Sequence, residues 1–109
     1  MLKTFNDLAV GDTVYRLIYN AEEGQSETGW ICFIHEHKIT EEIDIKSGKL
    51  FKYNDCLGFS VSYAFLDKEM IAGPYNSSIC VNKKTVLDLL QREMREFNEH
   101  HEKLIDKLL

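Results

Sequence analysis

Two histidines flank a glutamate at His35-Glu36-His37, inside a run of strand-forming residues. In a regular strand, side chains two positions apart project from the same face, so His35 and His37 can offer two nitrogens to one metal ion. Glu36 then projects from the opposite face, and no third ligand is placed by its spacing. Only a contact across the fold, from His100 or His101, could complete such a site. A metal-assisted enzyme that uses His35 and His37 is therefore kept as an alternative.

Signatures of other enzyme classes are absent from the sequence. It contains no glycine-rich phosphate loop, no GxSxG nucleophile elbow, no HExxH and no EF-hand spacing. Cys32, Cys56 and Cys80 are odd in number and widely spaced among apolar neighbours, which predicts reduced, partly buried thiols. We therefore expect a protein that is not an enzyme, with no catalytic residues, no metal ligands and no cofactor.

The composition is that of one ordinary globular domain. The chain has 109 residues, of which 44% are apolar and 28% charged. Its first residues lack the apolar run of a secretory signal, and no segment is long and apolar enough to span a bilayer, so we expect a cytoplasmic protein with no membrane partner. From Lys83 onward six basic residues balance six acidic ones, and the net charge of -5 lies entirely in residues 1 to 82.

Alternating apolar residues predict five strands before residue 66. The first is Thr13 to Tyr19 and the second Gly29 to Ile39, whose one face should hold Ile31, Phe33, His35, His37 and Ile39. Two short strands are expected around a turn at Ser47-Gly48, and Leu57 to Phe65 has a half-buried pattern. Five short strands predict an α+β fold in which a small, curved antiparallel barrel occupies residues 1–82, with a short connecting segment.

Residues 83–109 are expected to form one long C-terminal α-helix in the same structural unit. Its apolar positions step by three and four through three heptads, which is a seam of period 3.5. Two partners fit this helix interface: the chain's own barrel, or the same helix of a second copy in a homodimer. The seam consists of Leu87, Leu90, Met94, Phe97, His101, Leu104 and Leu108.

His101 is the one titratable residue in the seam. Its protonation would place a charge among apolar side chains, so the helix contact is expected to weaken between about pH 7 and 5. The alternative is a histidine that turns its polar edge to water.

The stretch Leu8-Ala9-Val10-Gly11-Asp12-Thr13-Val14-Tyr15 resembles the L-x-V-G-D-x-V-Y phrase that enters the first strand of SH3-like small barrels. Phe65-Leu66-Asp67-Lys68-Glu69 is similar to an F-x-D-K-E step at the end of such barrels. Small uncharacterised proteins of bacteriophages and bacterial mobile elements combine a barrel of this kind with a C-terminal helix. The resemblance implies a five-stranded SH3-like barrel and a phage or prophage origin.

These features favour a non-enzymatic adaptor or regulator that binds a protein partner of unknown identity. A sharper hypothesis is a phage-encoded inhibitor whose acidic residues occupy a basic surface on a host protein. That acidic contact surface would contain Glu22, Glu23, Glu27, Glu41 and Glu42, with Glu36 and Asp44 beside it.

Nucleic-acid binding is the first alternative function. Phosphate contacts by Lys and Arg dominate such binding, and the basic residues here are outnumbered by acids. Only Lys46, Lys49 and Lys52, around the expected hairpin, could form a local basic stripe. We therefore do not expect nucleic acid as the main partner.

Overall fold

A curled antiparallel sheet of six strands forms a half-barrel, with two helices packed on one of its faces. The computed structural model describes residues 2–20, 29–53, 56–96 and 98–109, with the backbone alone at 56 and 57. The strands are β1 (Thr13–Tyr19), β2 (Ile31–Ile45), β3 (Gly48–Tyr53), β4 (Cys56–Ser62), β5 (Met70–Gly73) and β6 (Ser77–Cys80), and the helices are α1 (Lys83–Met94) and α2 (Asn98–Leu108).

The strands follow the order β4-β3-β2-β1-β6-β5 across the sheet, and every pairing is antiparallel. The α+β class and the curved antiparallel sheet are confirmed. The number of strands was wrong, because the polar segment after Gly73 closes a hairpin between β5 and β6. Strands β4 and β5 end the order, so each has an edge without a strand partner in the described residues.

Strand β2 is longer than expected, because the second and third predicted strands are one continuous strand of 15 residues. The strand contains two bulges. The pairing with β3 shifts between Ile39 and Glu41, and the pairing with β1 shifts where Tyr19 meets Ile31, so that Thr40 and Cys32 are extra residues.

The extra residue Cys32 changes which side chains share a face. The predicted grouping of Ile31 with Phe33 was wrong: Ile31 and Ile34 are both buried against the helices, whereas Phe33 lies on the opposite face, across from Ile18. We call the side of the helices the outer face and the opposite side the inner face.

The sheet separates two apolar clusters. The inner cluster includes Val14, Ile39, Phe51 and Val61, together with Phe5 from the N-terminal segment. Backbone N–H groups of the N-terminal segment donate to carbonyls just after β4, and this holds Phe5 over the inner face. The outer cluster lies between the sheet and the two helices, so the helices share one core with the sheet.

The prediction of a single long helix was wrong in detail, because the chain forms two helices that are separated after Met94. No glycine or proline marks the break. The two helices pack against each other, and both apolar faces cover the outer face of the sheet. One helix of three heptads would extend beyond this small sheet, so the break allows more apolar surface to be buried.

The predicted seam lies against the chain's own sheet. Leu90, His101 and Leu108 are buried, and three further members are partly buried on the same cluster. Phe97 lies outside the described residues. The partly buried members are Leu87, Met94 and Leu104.

The helices also satisfy backbone groups on one edge of β2. Strand β3 pairs with β2 only from Ile39 onward, so the first half of β2 has no strand on that side. Glu93 Oε2 accepts from the Ile31 N–H at 2.9 Å, and Lys107 Nζ donates to the Ile34 carbonyl at 3.0 Å. The Nε2 atoms of His101 and His100 lie 3.1 and 2.9 Å from the carbonyls of Ile31 and Cys32. Helix side chains thus replace the missing strand.

None of the helices in the described parts of the chain has the length and the apolar sequence that crossing a membrane requires.

Gly58 and Gly11 provide a matched test of backbone constraint in the sheet. Both have positive φ, +76° and +97°, but a Cβ at Gly58 would overlap the Phe51 carbonyl oxygen, whereas a Cβ at Gly11 would have no atom within 4 Å. We expect Gly58→Ala to lower the free energy of unfolding by about 3 kcal/mol and Gly11→Ala by about 1 kcal/mol. Urea denaturation measures both, and equal losses would contradict the overlap at Gly58.

Glu93 tests whether the helices hold the edge of β2. Its Oε2 accepts from Ile31 N and lies 2.8 Å from His101 Nε2. Glu93→Ala leaves the Ile31 N–H without its acceptor and removes the carboxylate beside His101, so we expect a loss of about 2 kcal/mol in the free energy of unfolding. Glu102→Ala, at an exposed position on α2, should change it by less than about 0.5 kcal/mol. Similar effects of the two changes would contradict the edge-covering role.

Candidate functional site

The inner face brings a small polar cluster onto the sheet. Arg16 of β1 lies directly opposite His35 of β2, and Val14 lies opposite His37. Directly opposite residues of an antiparallel pair share a face, so Arg16, His35 and His37 stand together. On its other side Arg16 lies opposite Ile79 of β6, which is part of the inner cluster.

Aromatic rings continue from this cluster across the inner face. The ring centroids of Phe33 and His35 are 5.6 Å apart, and those of His35 and His37 are 5.9 Å apart, both edge to face. His37 stacks on Tyr53 at 4.0 Å with an interplanar angle of 19°. Phe33 ends the series and is 58% exposed. This series of aromatic rings therefore runs from the buried inner cluster to solvent.

Two nitrogens of this cluster are buried without a hydrogen-bond partner: Arg16 Nε and His37 Nε2. No carboxylate of the described residues lies within ion-pair distance of Arg16. A buried donor that loses its hydrogen bond to water costs about 1–3 kcal/mol. The cluster is thus a place where the fold leaves hydrogen-bonding capacity unused.

His37 is held toward its neutral form. Burial lowers the pKa of its imidazole below the ordinary value of 6.5, and the neighbouring His35 and the positive charge of Arg16 lower that pKa further. The sequence placed both histidines on one face correctly, but it gave no reason to select Arg16, which only the pairing of β1 with β2 brings to them.

The histidine pair has no third ligand for a metal in the part of the chain that the structure describes, where no group of three or more candidate ligands is found. His100 and His101 lie on the outer side of β2 and bond to its backbone. His101 is buried, and its Nε2 also lies 2.8 Å from Glu93 Oε2 of α1.

The described thiols are engaged in the core. Burial raises the pKa of the Cys80 thiol to about 11, and its Sγ lies 3.5 Å from the carbonyl of Asn82. Cys32 Sγ donates to the Ile18 carbonyl at 3.2 Å. The raised pKa keeps Cys80 protonated at neutral pH, so it is a poor nucleophile.

A second feature is the opening where the half-barrel fails to close. A groove of about 450 Å³ lies between β4 and β5, the two strands that end the sheet. The short 3-10 helix Tyr63–Phe65 follows β4 directly, and its Phe65 lines the groove and is 52% exposed. Both strands contribute side chains to the groove, which is lined by Ser60, Val61, Ser62, Phe65, Met70, Ile71 and Ala72.

The described part of the predicted acidic surface is paired with lysines. Glu42 lies 2.7 Å from Lys49 Nζ, and Glu41 lies 3.7 Å from Lys52 Nζ. The hydrogen bond to Glu42 raises the pKa of Lys49 above its ordinary value. The same pairs occupy two of the three lysines of the predicted basic stripe. The other acidic candidates, Glu22, Glu23 and Glu27, lie outside the described residues.

Comparison with protein-family models, with curated proteins and with solved structures finds no match for this chain.

His37 should titrate below pH 6.5, and Arg16→Gln should raise its pKa by removing a neighbouring positive charge. Because the unfolded chain binds this proton more tightly than the folded one, His37 lowers stability as pH falls through about 6.5. NMR titration of the ring C–H signals gives the pKa, and denaturation of wild type and His37→Gln at pH 7.5 and 5.5 gives the stability. A pKa at or above 6.5 would contradict burial as the dominant cause.

Proposed function

We propose that this protein is a non-enzymatic binding module that takes an extended segment of a protein partner into the groove between β4 and β5. The observation that carries this proposal is the arrangement of two unpaired strand edges on either side of one groove. In an antiparallel edge strand, alternate residues direct their N–H and C=O groups away from the sheet. An added strand satisfies these groups and gains affinity from main-chain hydrogen bonds.

The lining of the groove suits such a segment. Val61 and Ile71 offer apolar contacts at its base, where both belong to or pack on the inner cluster. Exposed Ser60 and Ser62 on one side and Ala72 on the other are small, so the backbone of a partner can approach closely. A segment with one apolar side chain toward the groove and polar side chains toward solvent fits this surface.

Two exposed aromatic side chains lie on the 3-10 helix at the end of the groove. Tyr63 and Phe65 are 63% and 52% exposed, and Phe65 lines the groove itself. Aromatic side chains supply much of the energy of protein interfaces. An anchoring contact for an apolar residue of the partner is therefore available at one end of the added strand.

The contrast with β2 supports this assignment. The edge of β2 that lacks a strand before Ile39 is covered by hydrogen bonds from the helices. Among the described residues, the side-chain hydrogen bonds from α1 and α2 to strand backbone go to β2, and none goes to the free edges of β4 and β5. Proteins protect edges that have no role in binding, so uncovered edges beside an apolar groove favour a binding role.

The net charge of -5 favours a basic partner segment. An inhibitor that occupies a basic host surface, as the phage-type hypothesis holds, fits this charge. A second copy of the chain that docks by its own edge strand is the competing occupant.

Peptides selected from a random displayed library test the proposal. Titrated into ¹⁵N-labelled protein, a selected peptide should shift the amide signals of β4 and β5. Ala72→Arg fills the groove with a long side chain and should weaken peptide binding by about tenfold or more. Ala9→Arg is the matched control, because Ala9 is also an exposed alanine, precedes β1 and does not line the groove.

Three outcomes would count against the groove. Selected peptides could shift signals of α1 and α2 instead, or Ala9→Arg could weaken binding as much as Ala72→Arg, or the library could yield no binder. Concentration-dependent dimerisation that Ala72→Arg abolishes, without peptide binding, would assign the groove to a second copy.

A further inference from the structure

Arg16 and His37 form a second site that the groove does not use. Their Nε and Nε2 atoms are buried without partners, and both side chains stand on the inner face. Arg16 lies opposite His35, so His37, two residues further along β2, is its diagonal neighbour. Diagonal neighbours in antiparallel strands are about 7–8 Å apart, a separation that one small ligand group spans when it accepts hydrogen bonds from both side chains.

We propose that this cluster binds the carboxylate of a small organic acid, with the apolar part of the acid against Phe33. The guanidinium of Arg16 presents a planar fork of donors that matches the two oxygens of a carboxylate. A neutral His37 with its proton on Nε2 donates one further hydrogen bond. Both orphaned donors would then be satisfied by one group.

Charge favours a carboxylate over a phosphate. Arg16 carries the one permanent positive charge among the side chains that this cluster brings together, and His37 is held toward its neutral form by its surroundings. A monoanion balances that charge, whereas a phosphate dianion would leave negative charge uncompensated. The acidic net charge of the chain disfavours the dianion further.

An apolar surface adjoins the polar cluster. Phe33 of β2 and Ile18 of β1 lie opposite each other on the inner face. Each is two residues along its strand from His35 or Arg16, respectively. Phe33 is 58% exposed, and its ring lies 5.6 Å from the ring of His35. An acid with a ring or short hydrocarbon beside its carboxylate can therefore contact Phe33 while its oxygens reach Arg16.

Hydrocinnamate is the probe for the test, with hydrocinnamyl alcohol as its neutral counterpart and inorganic phosphate as the competing anion. NMR of the folded protein should show saturable shifts of the His37 ring C–H and of amides around Phe33. A bound carboxylate favours the imidazolium form, so the pKa of His37 should rise on binding. The alcohol should bind about tenfold more weakly.

Matched variants separate this site from general charge effects. Arg16→Gln should weaken hydrocinnamate binding by about tenfold or more, whereas Lys38→Gln, which removes the same charge from an exposed position of β2, should leave it unchanged. The comparison of acid and alcohol on the wild-type protein decides the question even if Arg16→Gln fails to fold.

The proposal is overturned by equal binding of acid and alcohol, by phosphate binding as tightly as hydrocinnamate, or by no shift of His37 up to about 10 mM acid. The peptide-binding proposal stands or falls separately, because this titration contains no peptide and reports on residues outside the groove.

Discussion

One edge of the first half of β2, on the side away from β1, has no strand partner, and the arrangement of this protein depends on how that edge is covered. Strand β3 begins to pair with β2 only at Ile39, so backbone groups upstream need other partners. Side chains from both helices supply them, with Glu93 on α1 and His101 and Lys107 on α2. The helices are thereby fixed to the outer face, and the inner face is left to the N-terminal segment and to solvent.

The need to satisfy backbone hydrogen-bonding groups also distinguishes the covered edge of β2 from the open edges of β4 and β5. A strand edge exposes donors and acceptors that pair with any extended chain that reaches it. Covering the edge of β2 uses charged and imidazole side chains, so it limits where the helices can sit. At β4 and β5 the chain instead presents small and apolar side chains beside the unpaired edges, which leaves these edges open to an added strand.

Much of the local structure followed from the sequence, and the long-range structure did not. Alternation placed β1 at the right residues and put His35 and His37 on one face. It failed at Cys32 and Thr40, because a bulge residue has no distinctive side chain and only the pairing partner reveals the shift. The break after Met94 could not be predicted, because no glycine or proline occurs there.

The candidate sites were less predictable for the same reason. Arg16 meets His37 only because β1 pairs with β2 in one register, and the groove exists only because β4 and β5 end the same sheet. The period of 3.5 in the C-terminal residues did predict an apolar seam. It could not say whether a second copy or the chain's own sheet covers that seam, since both bury the same side chains.

The position of β1 in the middle of the sheet has a consequence for the order of folding. The antiparallel pairs β2-β3, β3-β4 and β5-β6 are each formed by strands that follow one another in the sequence. In contrast, Tyr15 of β1 pairs with Cys80 of β6, which is 65 residues away. Closing so long a loop costs conformational entropy before the stabilising contacts between β1 and β6 can form. The pairing of β1 with β6 is therefore expected to form late and to limit the folding rate. Only the pairing of β1 with β6 brings β5 opposite β4. A partially folded chain in which β2-β3-β4 and β5-β6 have already formed would therefore still lack the groove.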